Sequence, residues 1–302
     1  MGDSILMTRN DETWSKKRKA LSVTFYKDKL VKYFELIKAE QLKHLQIIRE
    51  KFVNTNTPVD IISEASKAHI RVLLKCAFGI DLSNQVLDWE QDGKVYQKTL
   101  DFVLIEAFHQ LFMRVVSPQI LIFPGTYDLY LTPAARRLRR NVDRLRKLFQ
   151  RIVDERKVAM QQPDYVETCD LLSTLLQDDL FKNDSESIIN ECLTMFFAGT
   201  QTVSITTSNL ILYLLQQPHY IQKIRDEYKQ MIVDPFVQSN DAGKQVNLDN
   251  MMTIENIYDL KFYIQCFNES LRMEPPVKAS TSCMLLEDLD LMNYKIKRGT
   301  PF

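Results

Sequence analysis

The stretch FFAGTQTVSITTSNLILYLLQQP, residues 196–218, decides how the chain is read. It is mostly apolar and free of proline until its last residue. Upstream, Asp184 or Ser185 can cap a helix, with Glu186 and Glu191 placed favourably near its positive end. A helix from there to Gln217 has about 33 residues and is roughly 50 Å long, enough to cross a whole domain. Inside it stands Gly199, one of only seven glycines in the chain. In a helix interior, glycine costs up to about 1 kcal/mol relative to alanine. Either of two needs could keep it there: another helix packing tightly against bare backbone, or a flat ligand doing so. Thr200, Thr202, Ser204, Thr206, Thr207 and Ser208 follow. Their hydroxyls can bond back to carbonyls one turn earlier, which can bend or widen the helix.

Outward from this stretch the chain keeps helical spacing. Its 302 residues can bury one large core, and a 45% apolar and 26% charged composition is ordinary for a globular protein. The formal net charge is zero, which gives no bulk electrostatic case for nucleic acid. The most apolar region, 102–123, is interrupted by Glu106, His109, Arg114 and Pro118, so no membrane span is expected. The first residues show no basic, then apolar, signal-peptide pattern. Cys76, Cys169, Cys192, Cys266 and Cys283 form no CxxC pair and read as free, mostly buried thiols.

Residues 12–51 read as helix, break, helix, and Thr55–Pro58 as a loop. Ile61–Phe78 is a helix stopped at Gly79. Trp89–Val116 reads as a further helical region, broken by Pro118 and Pro124-Gly125. Pro133 opens an amphipathic helix to Lys157, whose many arginines read as a solvated face more readily than as a patch for nucleic acid or membrane. Pro218 opens the next helix, 233–250 reads as a polar loop, and Ile257–Met273 is helical up to Pro275-Pro276. Two short strands around Met292-Asn293 are the only strand signal.

Two further constellations stand out. Glu269 and Arg272 in NESLRMEPP are spaced i, i+3 and can pair, as a surface pair of small worth or as a buried anchor before the double proline. Trp14 and Arg18 in WSKKRKAL are spaced i, i+4, so an indole N–H and a guanidinium could together grip a carboxylate. The histidines, at 44, 69, 109 and 219, are far apart, and no HExxH, GxSxG, Walker A or GxGxxG motif occurs.

The order WxxxR, then AGxxT in a long helix, then ExxR before PP resembles the cytochrome P-450 family of haem-thiolate monooxygenases. VDIISEASKAHIRVLLKCAFGID, YLLQQPHYIQKIRDEY, DLKFYIQCFNESLRMEPPV and NYKIKRGTPF each resemble a family segment, so the similarity covers essentially all of 10–302. The resemblance implies a mainly α fold with a long central helix and a short C-terminal β-hairpin, as one incomplete domain over 1–302. It implies that Trp14 and Arg18 bind haem propionates. Ala198 and Gly199 mark where the central helix passes over haem, where a larger side chain would collide with the ring. Thr202 would help deliver protons to the reacting oxygen. Glu269 and Arg272 would form a buried pair that stabilises the core on the haem side. The cofactor is haem b. The partners are an apolar organic substrate and an electron-donating reductase, with no nucleic acid, and substrate would lie against Thr202 and side chains near Phe196. The apolar 102–123 region would help form an access channel.

The chain departs from the pattern in three places. Gln201 stands where an acid usually precedes the threonine; it can position water but cannot ionise. Ser282 stands where a further basic residue is expected. The family's iron ligand is a cysteine in a late FxxGxxxCxG-type loop, and none of the five cysteines has that setting. The expectation is therefore a domain lacking the N-terminal anchor region and the cysteine loop, with no metal ligand in 1–302. The complete protein would act at the cytosolic face of the endoplasmic reticulum, held only by an anchor outside this sequence. The alternative is a non-catalytic helical fragment that binds haem weakly or not at all. A third reading is an unrelated helical interaction protein.

Overall fold

A computed structural model of the chain describes residues 2–8, 11–82, 84–239, 251–278 and 285–300. The first helices are α1 (Glu12–Ser22), α2 (Lys27–Ile48) and α3 (Ile61–Phe78). A hairpin of β1 (Val86–Gln91) and β2 (Lys94–Thr99) follows, then α4 (Leu100–Val115), α5 (Pro118–Ile122), α6 (Pro133–Ala159) and α7 (Leu171–Gln177). The long α8 (Ser185–Gln216) leads into α9 (Pro218–Tyr228), α10 (Asp234–Ser239) and α11 (Lys261–Met273). A second antiparallel hairpin, β3 (Leu289–Leu291) and β4 (Tyr294–Ile296), closes the described chain. The structure is mainly α, as the sequence implies.

Local chemistry sets the helix ends. Asp184 accepts from Ser187 N at 2.9 Å and starts α8. Thr132 accepts from Ala135 N and Pro133 fills the first position of α6. Asp60 caps α3 at one end, and Gly79, at φ 65°, closes it at the other, donating its N–H to Lys75 O at 2.8 Å.

The core forms where α3, α6 and α8 meet. Phe78, Phe149 and Phe196, one from each, pack with ring centroids 5.2–5.8 Å apart. Beside them, Arg156 of α6 reaches Asp170 Oδ2 (2.9 Å), Ser173 Oγ (2.7 Å), Thr168 Oγ1 (2.7 Å) and Phe78 O (2.5 Å), tying the end of α3 to the start of α7.

Two sequence expectations are corrected. Residues 89–99 are not helix. Trp89 is wholly buried on β1 while its neighbours face outward, and Asp92 (φ 50°) and Gly93 (φ 75°) make the tight turn to β2. Residues 234–239 of the expected 233–250 loop form α10, which continues the helical backbone of Lys229–Val233. Residues 240–250 of that loop, and Ser282, Cys283 and Phe302, lie outside the described residues.

Candidate functional site

α8 organises the site because three motif regions meet it at successive stations. Near its N-terminal end lies α1. Between Trp14 and Arg18, Lys17 turns inward and donates to Glu191 Oε1 at 3.2 Å. Glu191 is fully buried and also accepts from Ile5 N at 3.0 and 3.1 Å. Burial pushes its carboxyl up, against the lowering pull of those hydrogen bonds and of Lys17. Trp14 is half-buried and Arg18 exposed; among the described residues neither side chain hydrogen-bonds to α8. The contact of this motif with α8 thus runs through Lys17, which sequence reasoning passed over. Its signal was a basic residue one turn after Trp14, facing the helix that carries Glu191.

The middle station is Ala198–Thr202, seven to eleven residues past Glu191, or about 10–16 Å along the axis. The helix is continuous here. The hydroxyls bond back as their spacing suggests: Thr200 to Phe196 O (2.7 Å), Thr202 to Ala198 O (2.6 Å), Ser204 to Thr200 O (2.6 Å) and Thr206 to Thr202 O (2.9 Å). Ala198 is exposed, and Gln201 and Thr202 are partly so. With its proton committed to Ala198 O, the Thr202 hydroxyl keeps its lone pairs for a water or another donor on that face.

Gly199 points elsewhere. A side-chain carbon there would lie 3.1 Å from Leu73 Cδ1 and 3.3 Å from Cδ2, so in this structure the glycine admits α3. The neighbour that a side chain there would meet is thus an apolar side chain of the protein itself, the first of the two needs left open by the sequence. One residue is a 100° turn on a helix, which separates this packed face from the open face at Ala198. Beyond Leu73 the packed face borders a mostly apolar cavity of about 550 Å³ between α2, α3 and α8, with His44 and His69 in its wall. Phe196 is a core ring and wholly buried, while its neighbour Phe197 reaches Phe108 of α4, at 5.6 Å. A second cavity of about 440 Å³, lined by Phe108, Leu111, Leu138 and Leu193 among others, lies between α4, α6 and α8.

The third station is α11, against the last turns of α8, where Asn209 donates to Glu274 O at 3.4 Å. Glu269 and Arg272 form a two-pronged pair at 2.7 and 2.8 Å, which holds the carboxyl below its ordinary range. The pair is made, but it is not buried: the Arg272 side chain is 71% exposed and that of Glu269 55%. The exposed arrangement is the surface alternative that the spacing offered, on a helix that packs against α8 and α9.

Haem can be tested against these groups. The Ala198–Thr202 face, with only a methyl group and short polar side chains, fits the edge or face of a flat ring. Three of the described cysteines, at 76, 192 and 266, fit poorly as the iron's thiolate, because burial favours the neutral thiol. Burial pushes the Cys76 thiol up to about 12 and raises those of Cys192 and Cys266 as well. Among the described residues, no group of three histidine, cysteine or acidic side chains is arranged to hold a metal.

The family model described as Cytochrome P450 matches residues 1–302. The chain is 24% identical to human "Cytochrome P450 4F3" over 94% of its own length and 52% of that protein's. It is 24% identical to the human "Ultra-long-chain fatty acid omega-hydroxylase", covering 98% of this chain and 53% of the relative. With the "7-ethoxycoumarin O-deethylase" of Helianthus tuberosus the identity is 21%, over 95% and 54%. The chain therefore spans about half the length of the curated relatives it matches.

Proposed function

The chain belongs to the cytochrome P450 family, and on that premise we propose that it serves a haem-dependent monooxygenase that inserts one oxygen atom of O2 into an apolar organic substrate. The observation that carries the reading is the middle of α8, where Ala198 is exposed and Gln201 and Thr202 partly so on one helical face. Haem b bound there would supply the oxygen chemistry. The chain's own groups would do the rest. Trp14 and Arg18 would donate to the propionates. Ala198 would leave room for the ring. Thr202 would hold a water by its free lone pairs, and Gln201 would orient that water without being able to exchange a proton as an acid does. The exposed Glu269–Arg272 pair would become a structural tie once covered.

Apolar substrates would approach from the cavity between α4, α6 and α8, whose lining includes Phe108 and Leu193. The names of the relatives point the same way, one to very long fatty acids and one to an aromatic ether. An electron-donating reductase and the cytosolic face of the endoplasmic reticulum complete the proposal for the whole protein. No described helix is long and apolar enough to cross a membrane.

A second reading, that the chain by itself is a non-catalytic scaffold, is favoured by the raised cysteine thiols. One experiment separates the two: haem titrated into the chain, followed by the Soret band of the reduced, carbon monoxide-treated sample. Saturable uptake that Ala198→Trp abolishes supports the open face as the haem wall. A thiolate-type band means one of the five cysteines ligates iron and removes the scaffold reading. No uptake by the wild-type chain leaves the scaffold reading and overturns the proposed wall.

A further inference from the structure

The outer edge of β1 is closed at one position and open beside it. β1 pairs with β2 on one side only. On its other edge, Asn141 of α6 engages both the N–H and the C=O of Glu90. A strand has a period of two, so the N–H and C=O of Asp88 and of Val86 point off that same edge. The Val86 carbonyl accepts from Gln85 Nε2 at 3.2 Å. Among the described residues nothing takes the backbone groups of Asp88. Here the edge borders a groove of about 240 Å³ between β1 and α6. An open strand edge of this kind is a template for pairing with another chain.

The opposite wall of the groove is basic. Arg144, Lys147 and Arg151 of α6 line it, in a row that spans about 10 Å along the helix. Arg144 donates to Asn141 Oδ1 at 3.0 Å. Lys147 and Arg151 are exposed, and among the described residues neither has a hydrogen bond or an ion pair. The one acid in the lining, Asp88, is engaged by Gln97 of β2. The chain as a whole is neutral, so the row is a local excess of positive charge. A second copy pairing at this edge would bring its own three cations against these, which disfavours it.

We propose that an acidic segment of a partner protein adds to this edge as a third strand. Its backbone would bond the N–H and C=O of Asp88 and the N–H of Val86. Acidic side chains at alternate positions would face Arg144, Lys147 and Arg151. Alternate residues of a strand are about 7 Å apart, so two acids fall within the row. Asn141 sets where the added strand stops, because its amide already fills the next pairing position at Glu90. The groove shares no residue with the α8 face or with the cavity between α4, α6 and α8, and the contact does not depend on haem.

Fluorescence anisotropy of a labelled peptide of alternating glutamate and threonine, titrated with the full 302-residue chain, tests it. Saturable binding is expected, weakening as salt rises. The same peptide with lysine in place of glutamate is expected not to bind. Lys147→Gln with Arg151→Gln weakens binding on the order of tenfold through lost charge complementarity. Asp88→Pro removes an outward N–H that the β1–β2 ladder does not use, and weakens binding by roughly as much. Bound peptide slows hydrogen exchange at Asp88 and Val86 of the wild type. Lys147 and Arg151 are exposed, so the circular dichroism of their double variant matches the wild type even if Asp88→Pro disturbs β1. Haem titration checks the α8 face independently. Absence of binding, equal binding of the lysine peptide, or a charge variant that binds like the wild type overturns the proposal. So does unchanged exchange at Asp88 and Val86 under saturating peptide, which would make the contact ionic only. So does self-association that Asp88→Pro abolishes without any peptide binding, which would make the edge an interface between copies.

Discussion

At Gly199 two costs compete, and their sizes predict what substitution does. Alanine would gain about 1 kcal/mol of helix propensity. Its methyl would stand 3.1 Å from Leu73 Cδ1, so Leu73 must shift by a few tenths of an ångström. Gly199→Ala is therefore expected to leave stability within about 1 kcal/mol of the parent, because gain and strain offset. Gly199→Phe overpacks the α3–α8 seam and costs about 1–3 kcal/mol, a loss that Leu73→Ala partly restores. Urea denaturation of the haem-free chain measures both. Additive effects at 199 and 73 would sink the packing explanation and return the glycine to ligand clearance alone. The sequence displayed the glycine and both of its possible reasons, but not that its face belongs to Leu73.

At the scale of elements, the β1–β2 hairpin shows how a side chain on one element completes another. Asn141 of α6 accepts from Glu90 N and donates to Glu90 O, both at 2.9 Å, so its amide stands where a neighbouring strand would be. Asn141 itself is 1% exposed. Replacing it by leucine strands two backbone groups and is expected to cost about 1–3 kcal/mol, with faster hydrogen exchange at Glu90. Protection at Glu90 equal to the parent's would show that water replaces the amide without loss. The Arg140–Glu90 pair beside it leaves the arginine side chain half-exposed and adds little. The signal for this hairpin was present as Asp92-Gly93 between alternating residues. It was hidden because Trp89–Val116 also supports a helical reading, and only cross-strand pairing decides such a case.

For the molecule as a whole, acid is the expected weak point. His44 on α2 and His69 on α3 face the large apolar cavity, and burial lowers both below the ordinary value of 6.5. Glu64, 3.6 Å from His44 Nε2, pulls the other way but less strongly, and Arg71 and Lys67 add to the lowering. Below that ordinary value, the unfolded chain binds protons that the folded chain refuses. Stability is thus full above about pH 6.5 and falls on acidification toward the depressed folded values. Urea midpoints between about pH 5 and 7 read this slope. His44→Leu, which removes a ring whose nitrogens make no hydrogen bond, is expected to flatten part of it. An unchanged slope in that variant would place the acid sensitivity elsewhere.

The sequence by itself determined the helices with strong ends, because caps and breakers act within a few residues: Asp184 starting α8, Asp60 and Gly79 bounding α3, Pro133 opening α6, and the turn at Met292-Asn293. It also determined the back-bonded hydroxyls from Thr200 to Thr206, since each needs only a carbonyl one turn away. The family followed from motif order alone. Tertiary structure decided what those local rules cannot reach. It set Lys17 rather than Trp14 or Arg18 on α8, gave Gly199 to Leu73 and left Ala198 open, and exposed the Glu269–Arg272 pair. The reason is the same in each case. A helix fixes which side chains share a face, but only the neighbours that arrive from distant sequence decide whether that face is buried, paired or left free.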